Sequence, residues 1–112
     1  MVADYFLETS GYNTVEVPEV GFYMWRKFDE ECHIGHFYIL PEKRKGQIAP
    51  TIGADMEKVA RENGCTYLSC IVDFENRTND VASRLIKVYL NFGFVIHSMY
   101  NNTQVIFKKE LN

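Results

Sequence analysis

At 112 residues the chain has the length of one domain, long enough to bury a single real core. Its composition, 46% hydrophobic, 14% aromatic and 24% charged, is that of an ordinary globular protein, and a net charge of −3 argues against a dedicated nucleic-acid binder or charge-driven attachment to anionic lipid. No run approaches the roughly 18 apolar residues of a membrane span, no basic segment precedes an apolar one at the start, and Cys32, Cys65 and Cys70 form no disulfide framework, so a soluble cytoplasmic protein with reduced thiols is expected.

Residues 1–14 have weak periodicity, with a turn at Gly11-Tyr12-Asn13. Residues 15–18 read as a short strand stopped by Pro18. The aromatic run VGFYMWRKF, 20–28, reads as a second strand, Asp29-Glu30-Glu31 as a hairpin turn, and 32–40 as the returning strand. Pro50 suits the first turn of a helix that carries Ile52, Met56, Val59 and Ala60 at helical spacing and stops at Asn63-Gly64. The run CTYLSCIVDF, 65–74, has the length and apolarity of a central strand. Polar residues 75–80 can cap a second helix, whose apolar face is Val81, Leu85, Val88, Tyr89 and Phe92 and whose end is Gly93. Residues 94–100 and 103–109 alternate about Asn101-Asn102, as in a hairpin with positive φ at its turn. The order β-β-β-α-β-α-β-β predicts a mixed sheet with right-handed crossovers.

Two stretches invite a chemical reading. His33-Ile34-Gly35-His36 spells a tetrapeptide found in class I aminoacyl-tRNA synthetases, where it sits in a loop that enters a helix. Here it runs into the β-run Phe37-Tyr38-Ile39-Leu40 and has no KMSKS-like companion, so its letters lack their chemical context. Strict alternation along a strand puts His33 and His36 on opposite faces, so no shared metal ion is expected. The second stretch, Ile39 to Pro50, is a strand end, a basic turn of Lys43, Arg44 and Lys45, and a helix start. Unpaired N–H groups, the helix dipole and three cations suit a diphosphate, although basic turns before helices are also common without a ligand.

This second stretch resembles the cofactor motif of the GNAT superfamily of acetyl-CoA-dependent N-acetyltransferases, V-x-P-E-x-R-G-x-G-x-G/A. The chain offers Ile39-x-Pro41-Glu42-x-Arg44-Lys45-Gly46-Gln47-Ile48-Ala49, and Val88-Tyr89-Leu90-Asn91-Phe92-Gly93-Phe94 is similar to the family's L-Y-E-K-L-G-F. The resemblance covers residues 20–109. It implies a GNAT-like α+β or α/β fold with a mainly antiparallel, twisted sheet and two main helices. A single domain would span 1–112, with an abbreviated N-terminal segment, 1–19, and a core, 20–109.

The function implied is acetyl transfer from acetyl-CoA to a primary amine by direct attack in a ternary complex, with no metal. The strand holding Ile39 would splay from the strand of 65–74, with pantetheine in the wedge bordered by Ile39. The amides of Arg44, Lys45, Gly46, Gln47, Ile48 and Ala49 would cradle the pyrophosphate. Tyr89 would protonate the departing thiolate, with a packed core tyrosine as the plain alternative. His33 matches the position of a glutamate base in some members, with Glu31 and His36 also on that strand.

Gln47 stands where the family's central glycine lets backbone approach phosphate, Lys45 replaces the glycine before it, Ala82 takes the place of a frequent asparagine, and the helices that usually shape the acceptor site are not apparent. These departures suit, as the alternative, a non-catalytic GNAT-fold binding or structural module of the compact kind seen in bacteriophages. The acceptor would be an amine-bearing small molecule or protein; neither a nucleic-acid nor a membrane partner is expected. The aromatics of 20–28 suit either a core or a homodimer interface, and an exposed edge strand would let one sheet continue across two chains.

Overall fold

The computed structural model describes residues 11–43, 48–75 and 77–111, with the backbone alone for 48–50. In chain order the elements are β1 (Asn13–Val17), β2 (Gly21–Phe28), β3 (Glu31–Ile39), a 3-10 turn (Pro41–Lys43), α1 (Ile48–Glu62), β4 (Tyr67–Asp73), α2 (Asn79–Asn91), β5 (Val95–Met99) and β6 (Gln104–Glu110). This is the order the hydrophobic pattern predicts. The six strands form one sheet, β1-β2-β3-β4-β6-β5, in which β3–β4 is parallel and every other pair antiparallel. The first crossover, through α1, joins neighbours; the second, through α2, steps over the position that β6 fills on its return.

Both helices are amphipathic and pack on the same face of the sheet. Ile52, Met56 and Ala60 recur every fourth residue of α1, and all are buried. Beneath the helices lie Cys32 and Ile34 of β3, Leu68, Cys70 and Val72 of β4, and Phe107 of β6. No described α-helix packs on the opposite face. Tyr23 of β2 reaches into the core and donates its hydroxyl proton to Asp55 Oδ2 of α1 at 2.5 Å. The aromatic run of β2 is thus largely core: Tyr23 is buried in it and Trp25 packs against it, Met24 is buried on the other face, and Phe28 is exposed.

Helix ends follow from the sequence. Thr78 caps α2, accepting from the Val81 N–H at 3.3 Å. Gly64 (φ 75) and Gly93 (φ 94) take the left-handed conformation after α1 and α2. The Cys65 N–H then donates to the Ala60 carbonyl at 2.9 Å and the Gly64 N–H to that of Arg61 at 3.1 Å, and the Phe94 N–H to the Tyr89 carbonyl at 3.1 Å and the Gly93 N–H to that of Leu90 at 2.9 Å, so each helix ends in the paired closures of a Schellman motif.

Two local expectations need correction. The β5–β6 hairpin has no positive φ at Asn101 or Asn102. The Asn101 side chain closes it instead, with Oδ1 accepting from the N–H groups of Thr103 (3.0 Å) and Gln104 (2.9 Å). The second concerns β3. Its ladder with β2 passes from Trp25↔Ile34 to Met24↔His36, leaving Gly35 as an extra, unpaired residue. That bulge shifts the alternation by one. His33 lies opposite Arg26 and His36 opposite Met24, so both histidines occupy the face away from the helices rather than opposite faces. A Cβ at the bulge would lie 2.5 Å from the Tyr12 ring, so any larger residue there would displace that ring.

Candidate active site

The bulge also ends the parallel pairing. β3 and β4 pair from Glu31↔Tyr67 to Ile34↔Cys70 and no further, although β3 continues to Ile39 and β4 to Asp73. Beyond that point the strands part like a fork. Gly35, His36 and Phe37 lose their strand partner on one side, as do Ile71, Val72 and Asp73. The gap is a cleft of about 700 Å³. Residues 35–39 form one wall and 71–73 the other; Leu85, Val88 and Tyr89 of α2 close the helix side, and Arg77 stands at the edge. Arg77 is held there by its Nε donating to the Asp73 carbonyl at 2.8 Å.

Tyr89 is placed by the helix stop. It is the residue whose carbonyl receives the Phe94 N–H, and the Phe94 ring meets its ring edge-on, with centroids 6.0 Å apart. Its ring stacks on Phe107 at 4.9 Å and meets Phe37 edge-on at 5.8 Å. No hydrogen bond to its hydroxyl comes from the described residues, and the residue lines the cleft. Burial pushes the phenol's pKa well above the ordinary range, reinforced by nearby Cys70 and opposed by Arg77, so the group keeps its proton.

On the other face, just before the fork, one row crosses four strands: Arg26, His33, Ser69 and Lys108. The neighbouring row holds Phe28, Glu31, Tyr67 and Glu110. His33 Nδ1 lies 2.9 Å from Ser69 Oγ and 3.9 Å from Glu31 Oε2. Glu31 in turn accepts from the Tyr67 hydroxyl at 3.2 Å. Two acceptors beside Nδ1 favour the tautomer with the proton there, leaving the Nε2 lone pair open. Burial lowers the pKa of His33; Glu31 opposes this and Arg26 adds to it, and burial outweighs the carboxylate because the side chain keeps only 16% of its surface exposed.

The structure thus brings Ile39 and Tyr89 to one cleft and sets His33 at its root on the opposite face. Arg44, Lys45, Gly46 and Gln47 lie outside the described residues; Ile48 and Ala49 belong to the first turn of α1. Among the other candidate bases, Glu31 neighbours His33 and His36 is exposed at the cleft. Cys70 is buried, and desolvation lifts its thiol to about 12, which suits core packing rather than nucleophilic attack. Among the described residues no group of three or more His, Cys, Asp or Glu is arranged to hold a metal ion, and no helix is long and apolar enough to cross a membrane. Sequence reading overlooked Ser69, Arg77 and the bulge at Gly35; an isolated glycine within a strand pattern was the available signal for the last.

No family model matches the chain, and no curated protein matches it. Solved structures do. The PaiA N-acetyltransferase of Thermoplasma acidophilum, in complex with coenzyme A, is similar over 82% of this chain with a TM-score of 0.65 at 21% identity; this chain spans 54% of its length. An acetyltransferase of Bacillus subtilis in complex with CoA is similar over 99% of this chain and 83% of its own, with a TM-score of 0.68 at 16% identity. An acetyltransferase from Elizabethkingia anophelis with acetyl-CoA bound is similar over 98% of this chain and 82% of its own, with a TM-score of 0.70 at 16% identity.

Proposed function

From the premise that the chain has the GNAT fold, we propose that it is an N-acetyltransferase that moves an acetyl group from acetyl-CoA to a primary amine by direct attack in a ternary complex. The observation that carries this reading is the fork between β3 and β4. A parted parallel pair is costly unless something fills it, because backbone polar groups lose their partners. The opening suits a narrow arm with alternating amides and methylenes. It offers unpaired strand edge at residues 35–37 and apolar side chains at Phe37, Ile39, Val72 and Val88.

Acetyl-CoA would supply the acyl group as a thioester. Phe37, Ile39 and Val72 would grip the pantetheine arm. Arg44, Lys45, Gly46, Gln47, Ile48 and Ala49 would hold the pyrophosphate, using the N–H groups and dipole at the start of α1 together with the basic side chains. Tyr89, which keeps its proton, gives it to the departing sulfur on the helix side. His33, neutral and with Nε2 open, takes the proton of the attacking amine on the other side, directly or through water. The base lies beside the attacking amine and the acid beside the sulfur that leaves when the tetrahedral intermediate collapses.

Calorimetry with acetyl-CoA tests the cofactor half. Binding is expected in the wild type, and Arg44→Ala should weaken it roughly tenfold or more through the loss of one charge-assisted phosphate contact. Absence of binding at millimolar acetyl-CoA would remove the transferase reading. Binding without transfer to any of a broad panel of amines would favour the non-catalytic module.

His33 makes a separate prediction. Only neutral imidazole can accept the amine proton, and burial favours the neutral form. The rise of kcat/KM with pH that reports His33 should therefore lie below 6.5, the ordinary histidine value. His33→Gln should lower kcat/KM by roughly 100-fold and abolish that limb. A limb that survives the substitution unchanged would assign the base elsewhere.

A further inference from the structure

Among the described residues Arg26 is a cation without a counter-charge. Its Nε is buried and has no hydrogen-bond acceptor. Among the described residues no Asp or Glu forms an ion pair with it. Glu31, in the neighbouring row of the same face, is engaged by the Tyr67 hydroxyl and lies beside His33. The other cation of its row is treated differently: Lys108 pairs with Glu110 at 3.1 Å and lies 4.2 Å from the centre of the Tyr67 ring. Aromatic rings hold the Arg26 guanidinium in place, with Tyr12 and Phe28 each 4.9 Å away. Stacking leaves the in-plane N–H donors of the two terminal guanidinium nitrogens to a ligand, while the buried Nε lies out of its reach.

Position gives that donor set its meaning. Arg26 lies directly across from His33 on the adjacent antiparallel strand. Side chains so placed are neighbours, roughly 5 Å apart at Cβ. Both lie on the face that no described α-helix covers, one row before the fork.

We propose that Arg26 binds a carboxylate carried by the acceptor, so that the amine acetylated at this site belongs to an amino acid or a compound with the same close pairing of amine and carboxylate. This rests on the transferase reading. The amine lies against His33 while the carboxylate takes the fork of the guanidinium, and a few bonds separate the two groups. A carboxylate presents two oxygens to the paired donors of arginine; a phosphate can do the same, so the competition below distinguishes the two.

The test needs no turnover. N-acetyl-L-alanine and its carboxamide are titrated against the wild type, Arg26→Gln and Arg26→Lys, following amide shifts by NMR, with inorganic phosphate as competitor. In the wild type the carboxylate should bind roughly ten- to a hundredfold tighter than the carboxamide. That preference should collapse to near unity in Arg26→Gln and survive in part in Arg26→Lys. Equal affinities in the wild type, no binding of either compound, or a preference that Arg26→Gln leaves intact would each overturn the assignment. Displacement by phosphate as effective as by carboxylate would overturn the carboxylate identity. Thermal unfolding of the variants shows that they are folded. Carboxylate recognition without acetyl-CoA binding would sink the transferase reading and spare Arg26. Transfer to amines and their acidic analogues alike would do the reverse.

Discussion

Replacing Tyr89 with phenylalanine is expected to lower kcat by roughly 10²- to 10⁴-fold, the range supplied by a positioned general acid, and to leave the KM for acetyl-CoA nearly unchanged. The substitution isolates chemistry from packing. Phenylalanine keeps the stack on Phe107 and the edge contacts with Phe37 and Phe94. It deletes a hydroxyl that no described residue bonds, so stability should move by less than about 0.5 kcal/mol. Because burial raises the phenol's pKa, any alkaline loss of activity due to Tyr89 belongs above pH 10, the ordinary value. Unaltered turnover in a folded Tyr89→Phe protein would return Tyr89 to a packing role and leave the departing sulfur to water.

Truncating Phe107 to alanine should produce the largest loss of stability, about 3–5 kcal/mol. Its side chain is 0% exposed, on a strand held between β4 and β5, and it supports the Tyr89 ring from below. A domain of this size has roughly 5–15 kcal/mol in total, so the variant would stand close to the folding threshold. The melting temperature should fall by roughly 15–30 °C. Urea unfolding followed by circular dichroism gives the free energy directly. Activity should fall further than the loss of folded protein explains, since Tyr89 loses the surface that orients it. Phe107→Leu, which restores most of the volume, should recover most of the stability. A loss below about 1 kcal/mol for the alanine variant would mean the space refills by collapse, against the tight stacking described here.

Much of the architecture was legible because it is written in local patterns. The strand expected at 32–40 is observed at Glu31–Ile39, and the helix stops expected at Asn63-Gly64 and Gly93 are where Gly64 and Gly93 take positive φ. A glycine after an amphipathic run needs no distant partner to end a helix. The position of Tyr89 is nearly as local: the helix stop ties its carbonyl to the Phe94 N–H and its ring to the Phe94 ring, both five residues on, a geometry that the stretch Tyr89-Leu90-Asn91-Phe92-Gly93-Phe94 carries by itself. The Asn101 turn was misjudged for a related reason, since an asparagine closes a hairpin either through its backbone or through its side chain, and sequence does not distinguish the two.

The amino-acid sequence by itself therefore determined the elements, their order, the apolar face of the first helix and the tyrosine at the second helix stop; the second helix packs on the core through Ile86, Tyr89 and Phe92, with Val88 exposed. Tertiary structure alone decided where β3 and β4 cease to pair, that Gly35 is a bulge, and that Arg26, His33, Ser69 and Lys108 form one row. Register is a relation between strands distant in the chain: a single extra residue moves a side chain from one face to the other without altering the strand's composition. The fork depends on that bend, so the cleft and its two chemically different faces arise only when β3 meets its neighbours.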